Sequence, residues 1–222
     1  MIVTAADMFN AVLDGIFKAK TGTIYPDEFD RLINKVQLEY VQNKLTQEEE
    51  NQKRTDDLRI LRVISPDIAP TSLNTFPLPY NAASPLPGYL YLLSANFKII
   101  YVNNVCKLTG MSSYLKAKTM KSDWNEYEVS KDPYNRPTDD NLYYKIVGNN
   151  AILNTGTMST GAFMQVDYYR YPADISVVTP TDCELSIHAR QEIVDIAIRK
   201  YLEQVQDPRY QTKSAETKVE IL

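Results

Sequence analysis

ELSIHARQEIVDIAIRKYLEQVQDPRYQ, residues Glu184–Gln211, is a helix-forming segment that runs out into a polar tail. Ile187, Val194, Ile198, Tyr201 and Val205 fall on one stripe, and Ile193, Ala197 and Leu202 widen it. That is a period of 3.6 with a broad face to bury. Pro208 ends the helix, because proline has no amide hydrogen and disfavours helix in the residue before it. From Arg209 to Leu222 charged and hydroxyl residues alternate with little to bury. Such a tail is expected to be disordered alone or ordered by a partner. A helix that docks, followed by a tail that reaches out, suggests an assembly subunit before it suggests an enzyme.

The other end of the chain is also helical. Thr4 and Asp7 have capping-box spacing, and Met8, Phe9, Val12, Leu13, Ile16 and Phe17 make an apolar stripe. Gly22 is a natural C-terminal stop. Pro26 opens a second helix, with Asp27 and Glu28 complementing its dipole. Its stripe is Phe29, Leu32, Ile33, Val36, Tyr40 and Leu45. The following TQEEENQKRTDD stays compatible with helix but has no apolar face until Leu58 and Leu61. It reads as a solvated helix face or a polar subunit contact.

Between these ends the character changes. Six of the twelve prolines sit at 66, 70, 77, 79, 85 and 87, which predicts an extended arm and not a helix or a central strand. Strands are predicted at Phe97–Val102, Tyr143–Val147, Ala151–Leu153 and Phe163–Tyr171, with a tight turn at Gly148–Asn150. A short helix is expected near Asp123–Val129. Pro172 and Pro180 bracket the exit from the last strand, and Asp182 or Thr181 is placed to cap the terminal helix. The expected fold is therefore α+β, with terminal helices forming a bundle, an inserted β-rich module and an extended C-terminal tail. The expected divisions are N-terminal bundle helices over 1–62, a Pro-rich linker over 63–87 and a β-rich module over 88–182. A bundle helix over 183–206 and a tail over 207–222 complete the chain.

Composition limits the functions open to this chain. With 222 residues, 44% of them hydrophobic, it is long enough for one or two cores. The formal net charge is −4, without the basic excess of a sequence-independent nucleic-acid binder. No apolar run is long enough to span a membrane, and MIVTAADMFN lacks the pattern of a secretory signal. Cys106 and Cys183 stand far apart, without CxxC spacing, and read as reduced thiols in a cytosolic setting. Sixteen tyrosines beside one tryptophan fit a half-buried sheet, or an interface where one end of each ring is wet.

The search for chemistry returns little. Glu184, His188 and Glu192 form an i, i+4, i+8 line, but one helix face supplies too few ligands for a catalytic metal. A Cys183–His188 nucleophile pair has no third orienting group. Gly156 and Gly161 are spaced as in a phosphate-binding loop, yet Ala162 and Phe163 stand where Lys and Ser or Thr would be needed. Asp139 and Asp140 lie in a Pro/Asn-rich loop, where aspartate is an ordinary turn residue. No catalytic residue, cofactor or metal is expected.

Several segments, taken in order, resemble the head-to-tail connector proteins of tailed bacteriophages, specifically the ring proteins of crAss-like phages. They are EYVQNKLTQEEENQKRTDDLRIL, a Pro-rich stretch leading to SPLPGYLYLLSANFK, SDWNEYEVSKDPYNRP, VDYYRYP, and the terminal ELSIHARQEIVDIAIRKYLEQVQDPRYQ. NTGTMSTGAF, Asn154–Phe163, does not map to the family pattern. The resemblance implies a non-enzymatic virion subunit, made in the bacterial host cytoplasm. It implies a ring, twelvefold, between the portal protein and neighbouring ring or tail proteins. DNA would pass without sequence-specific binding, and no membrane would be involved. In that setting Glu48, Glu49, Glu50, Asp56 and Asp57 are candidates to face the lumen. Asp207, Pro208, Arg209, Tyr210, Val219, Ile221 and Leu222 are candidates to contact a neighbour. The competing expectation is a tyrosine-rich surface-binding module, for glycan or protein, on a phage tail or bacterial envelope.

Overall fold

The computed structural model describes residues 4–19, 23–46, 57–80, 88–101, 114–120, 129, 131–138, 140–155 and 159–204. They form a mixed α+β protein with three helices and two four-stranded sheets among the described residues. The chain divides into two compact units, one made of Met1–Leu61 with Pro172–Leu222, the other of Arg62–Tyr171.

The helical unit contains α1 (Ala5–Ala19), α2 (Pro26–Thr46) and α3 (Ile187–Gln204), and α3 packs against both of the others. The start of α1 is a reciprocal capping box. The Asp7 amide donates to the Thr4 hydroxyl at 3.1 Å, and the Thr4 amide donates to the Asp7 carboxylate at 3.0 Å. Met8, Val12 and Ile16 are fully buried, as are Phe29, Ile33 and Val36 of α2 and Ile193 and Ala197 of α3. Phe9 meets Phe29 edge to face, centroids 5.2 Å apart. Gly15 lies against Ile198, so close that a Cβ there would stand 2.5 Å from its Cδ1.

Several details differ from the sequence reading. Phe17 and Ile187 were placed on buried stripes but are exposed, 55% and 45%, because each sits near a helix end where the facing helix no longer covers the stripe. Leu45 is only half-buried. The cap of α3 is neither Thr181 nor Asp182 but Ser186, whose hydroxyl accepts the Ala189 amide at 3.3 Å. Asp182 instead accepts the Ala5 amide at 2.7 Å and so satisfies the start of α1, far away in sequence. Gly22 and most of TQEEENQKRTDD lie outside the described residues, as do nearly all of Asp123–Val129 and everything beyond Gln204.

The β unit holds β1 (Arg62–Ile64), β2 (Thr75–Pro77), β3 (Tyr91–Tyr101), β4 (Leu115–Lys116), β5 (Lys118–Thr119), β6 (Tyr143–Val147), β7 (Asn150–Asn154) and β8 (Ser159–Tyr169). One sheet has the order β1-β8-β3-β4 and the other β2-β7-β6-β5. β3 and β8 pair antiparallel from Tyr91–Tyr169 to Tyr101–Ser159, with register shifts at Leu92–Ser94 and Lys98–Ile99. The chain changes sheets at buried Ala117, between β4 on β3 and β5 alongside β6. Both sheets contribute to one core that includes Phe76, Phe97, Ile99, Tyr144, Leu153, Met164 and Val166. Val147 pairs with Asn150 across a two-residue turn in which Gly148 has φ +58°, a conformation glycine adopts freely.

The Pro-rich arm is the main correction. Its described residues belong to the β unit and do not link units. The Ser65 amide donates to the Val166 carbonyl at 2.8 Å, Ile68 bridges Met164, and Thr75–Pro77 is the edge strand β2 with Phe76 fully buried. Proline is tolerated there because an edge strand has one row of amides that the ladder does not use. The later boundary moves as well, since residues 173–177 join the helical unit and not the β module. Asn34 accepts the Ile175 amide at 2.7 Å and donates back to its carbonyl at 2.9 Å. Asp30 accepts both the Ser176 hydroxyl at 2.6 Å and the Val177 amide at 2.9 Å.

Candidate functional site

The residues singled out for chemistry are not brought together. Glu184 precedes α3 and accepts the Ala173 amide at 2.8 Å, so the three-residue line on one helix face does not form. His188 is exposed, and Glu192 pairs with Lys44 at 3.1 Å. Among the described residues no group of three or more His, Cys, Asp or Glu side chains is placed to hold a metal ion. Cys183 is buried at 2% exposure, and burial pushes its thiol pKa up, which favours the inert thiol over the nucleophilic thiolate. Cys106 lies outside the described residues.

The glycine spacing also has a packing explanation. Gly156 lies outside the described residues, and Gly161 sits inside β8, where a Cβ would stand 2.6 Å from Phe76 Cζ and 2.9 Å from Leu153 Cδ2. Its amide donates to Asn74 Oδ1 at 2.7 Å, while the Asn74 carbonyl accepts the Leu153 amide at 2.8 Å. Asn74 therefore ties a strand of one sheet to a strand of the other, and it does so at φ +57°, the left-handed region asparagine tolerates best after glycine. Asp139 is not described, and Asp140 is exposed.

Two polar constellations stand out that have no local sequence signature. On the β unit, Asp67 accepts hydrogen bonds from the Tyr114 hydroxyl and from Gln165 Nε2, the latter at 2.8 Å. Lys98 lies 3.7 Å from the same carboxylate and 4.5 Å from the centroid of the Tyr114 ring. The hydrogen bond from Tyr114, then that from Gln165, holds Asp67 below its ordinary pKa. Desolvation, then Asp67, pushes Tyr114 up to about 12. A fixed carboxylate and a fixed phenol donor supply neither a general base nor a nucleophile near neutral pH. What they do supply is a clasp between β3, β8 and the start of β4.

In the helical unit, Asp57 accepts the Ser186 hydroxyl at 2.9 Å, and Tyr40 is buried nearby at 2% exposure. The Tyr40 hydroxyl lies near the Asp57 carboxylate without making a hydrogen bond of good geometry. Desolvation, then Glu192 and Asp57, raises the Tyr40 pKa well above its ordinary value, so the phenol stays neutral. Asp57 is thus engaged within its own unit. The other acidic candidates, Glu48, Glu49, Glu50 and Asp56, lie outside the described residues, as do Asp207, Pro208, Arg209, Tyr210, Val219, Ile221 and Leu222. Set beside known proteins, the sequence matches no family model, and no curated protein matches it. No helix is long and apolar enough to cross a membrane, among the described residues.

Proposed function

We propose that this chain is a structural virion subunit that repeats as a ring, twelvefold, between the portal and the tail of a tailed phage and forms a conduit for the genome. The observation that carries the reading is the ordered series of connector-like segments along the chain, from EYVQNKL in α2 through VDYYRYP at the end of β8 to ELSIHARQEIVDIAIRKYLEQ at α3. The packing of α3 on α1 and α2 supports a terminal-helix bundle with a β module inserted into it. In a ring, Glu48, Glu49, Glu50 and Asp56 would line the lumen and repel phosphate, so that the genome slides past without being trapped. The tail beyond Gln206 would reach a neighbouring subunit or ring, where repetition raises the effective concentration of each contact.

Negative-stain imaging of the purified full chain, together with antibody labelling of intact virions, tests this reading. Rings of uniform subunit number and label at the head–tail junction are expected. A protein that stays monomeric at high concentration and labels the tail surface or host envelope would favour the tyrosine-rich binding module instead.

A further inference from the structure

The sheet β2-β7-β6-β5 has one face in the core and one turned away from it. Phe76, Ala151, Leu153 and Tyr144 point inward and belong to the core. The residues that alternate with them share the outer face, because strand partners in register point the same way. There Lys118 stands beside Tyr143, Lys145 beside Ile152, and Val147 in line with Pro77 across Asn150. Thr75, Asn150 and Asn154 complete these rows, so none of the paired positions on this face is a carboxylate. Val147 is 51% exposed and Lys118 is exposed, while Ile152, Lys145 and Pro77 are half-buried.

The border of this face is held by its own bonds. Lys118 Nζ stands 5.5 Å from the centroid of the Tyr143 ring. Asn141 Nδ2 donates to the Tyr143 hydroxyl at 3.4 Å and to the Asn135 carbonyl at 3.1 Å, which fastens the loop of residues 131–141 beside the face. Asp132 closes that loop by accepting the Tyr134 amide at 2.9 Å and Asn135 Nδ2 at 2.7 Å. Tyr134, on this fixed loop, is 92% exposed. A loop already fixed loses little freedom on binding, and tyrosine is among the side chains that carry most interface energy.

An apolar centre with a cationic and aromatic border suits a protein partner rich in carboxylates. On a duplex, the valine, isoleucine and proline between the lysines would interrupt the run of phosphate contacts. The chain itself carries such a partner. Within Arg62–Tyr171 ten Lys and Arg stand against eight Asp and Glu, whereas the helical unit has fourteen against twenty.

We propose that the outer face of β2-β7-β6-β5 docks on the acidic helical unit of a second copy of this chain. The contact joins different surfaces of the two copies, so it repeats head to tail. It rests on the ring reading only for the closure of that series.

Carbodiimide cross-linking of the full chain, mixed in equal parts from unlabelled and isotope-labelled protein, tests it. Zero-length links in mixed-isotope pairs are expected from Lys118 to carboxylates within residues 1–61 or 172–222, and should fade as salt is raised. In sedimentation equilibrium, Lys118→Glu and Val147→Asp should each weaken self-association by roughly tenfold or more. Both positions are exposed, and circular dichroism checks that each variant folds. Lys116→Glu, the same charge change on the other sheet, should leave association within about twofold. Unchanged association in the folded variants, an equal loss from Lys116→Glu, or links confined to single chains overturns the proposal. A duplex DNA shift that Lys118→Glu abolishes, in a protein that does not self-associate, overturns it in favour of nucleic acid. Association through this face into open chains sustains the contact and removes the ring reading. Rings that survive both variants remove the contact and leave the ring.

Discussion

Two residues fix more than their own neighbourhoods. Asn74 holds a left-handed conformation and satisfies Gly161 with its side chain and Leu153 with its backbone. Asn74→Ala leaves the Gly161 amide unpaired and strains the backbone, at a cost of about 1–3 kcal/mol. Asn74→Gly relieves the strain but not the lost bond, so its urea midpoint should fall between those of wild type and Asn74→Ala. Asp67 and Tyr114 make stability depend on pH in opposite ranges. The Asp67 pKa is lowered from 3.8 on folding, so its contribution is full above 3.8 and is lost as the pH falls from there through the lowered folded-state pKa. The Tyr114 pKa is raised from 10.0 to about 12, so its contribution is full below 10 and fades as the pH climbs towards 12. Tyr114→Phe should flatten both slopes in urea titrations across pH, because it removes the donor that Asp67 depends on. Unchanged slopes would show that the clasp contributes nothing in solution. None of these partners could be read from local spacing, since Asp67 and Gln165 lie 98 residues apart.

At the level of elements, the helices announce themselves and their joints do not. Gly15→Ala should gain about 0.5–1 kcal/mol of helix propensity. It should lose about 1–3 kcal/mol to overpacking against Ile198, whose Cδ1 would stand 2.5 Å from the new carbon. A net loss in thermal stability is expected. Ile198→Val removes that methyl, and a double-mutant cycle should therefore show favourable coupling between the two changes. Additivity would mean that α1 and α3 adjust without strain. Ser186→Ala removes the cap of α3 and the donor to Asp57, which should cost about 1–2 kcal/mol by chemical denaturation. Thr181→Ala, at a position the sequence also offers as a cap, should leave α3 unaffected.

The molecule as a whole is two units whose boundaries cut across the order of the chain. Deletion of residues 207–222 should leave the helical circular dichroism of the protein unchanged, because α3 is already packed by Gln204; under the proposed ring function it should impair incorporation into particles. Normal assembly of the truncated protein would show that the tail has no role there. The net charge of −4 predicts that the isolated protein does not shift duplex DNA in a gel at low salt. Tight, salt-sensitive binding would count strongly against a conduit.

What the amino-acid order determined by itself is local. The capping box at Thr4, the proline start of α2, the stripes of the three helices and the turn at Gly148 all follow from periodicity and backbone stereochemistry, which act over a few residues. Four strands were anticipated, and two of them were trimmed: β3 begins six residues before the predicted Phe97, and β8 four before Phe163. These flanks pair with each other across the sheet, while the short β1, β2, β4 and β5 have no local signature. The tertiary structure alone decided that Thr75–Pro77 of the proline-rich arm is an edge strand, that Asp182 caps α1 and not α3, that Ser186 caps α3, and that Asp67 gathers Lys98, Tyr114 and Gln165. Each of these depends on a partner distant in the chain, and a hydrogen bond or buried ring is satisfied by whatever the fold brings near, not by what stands next in sequence.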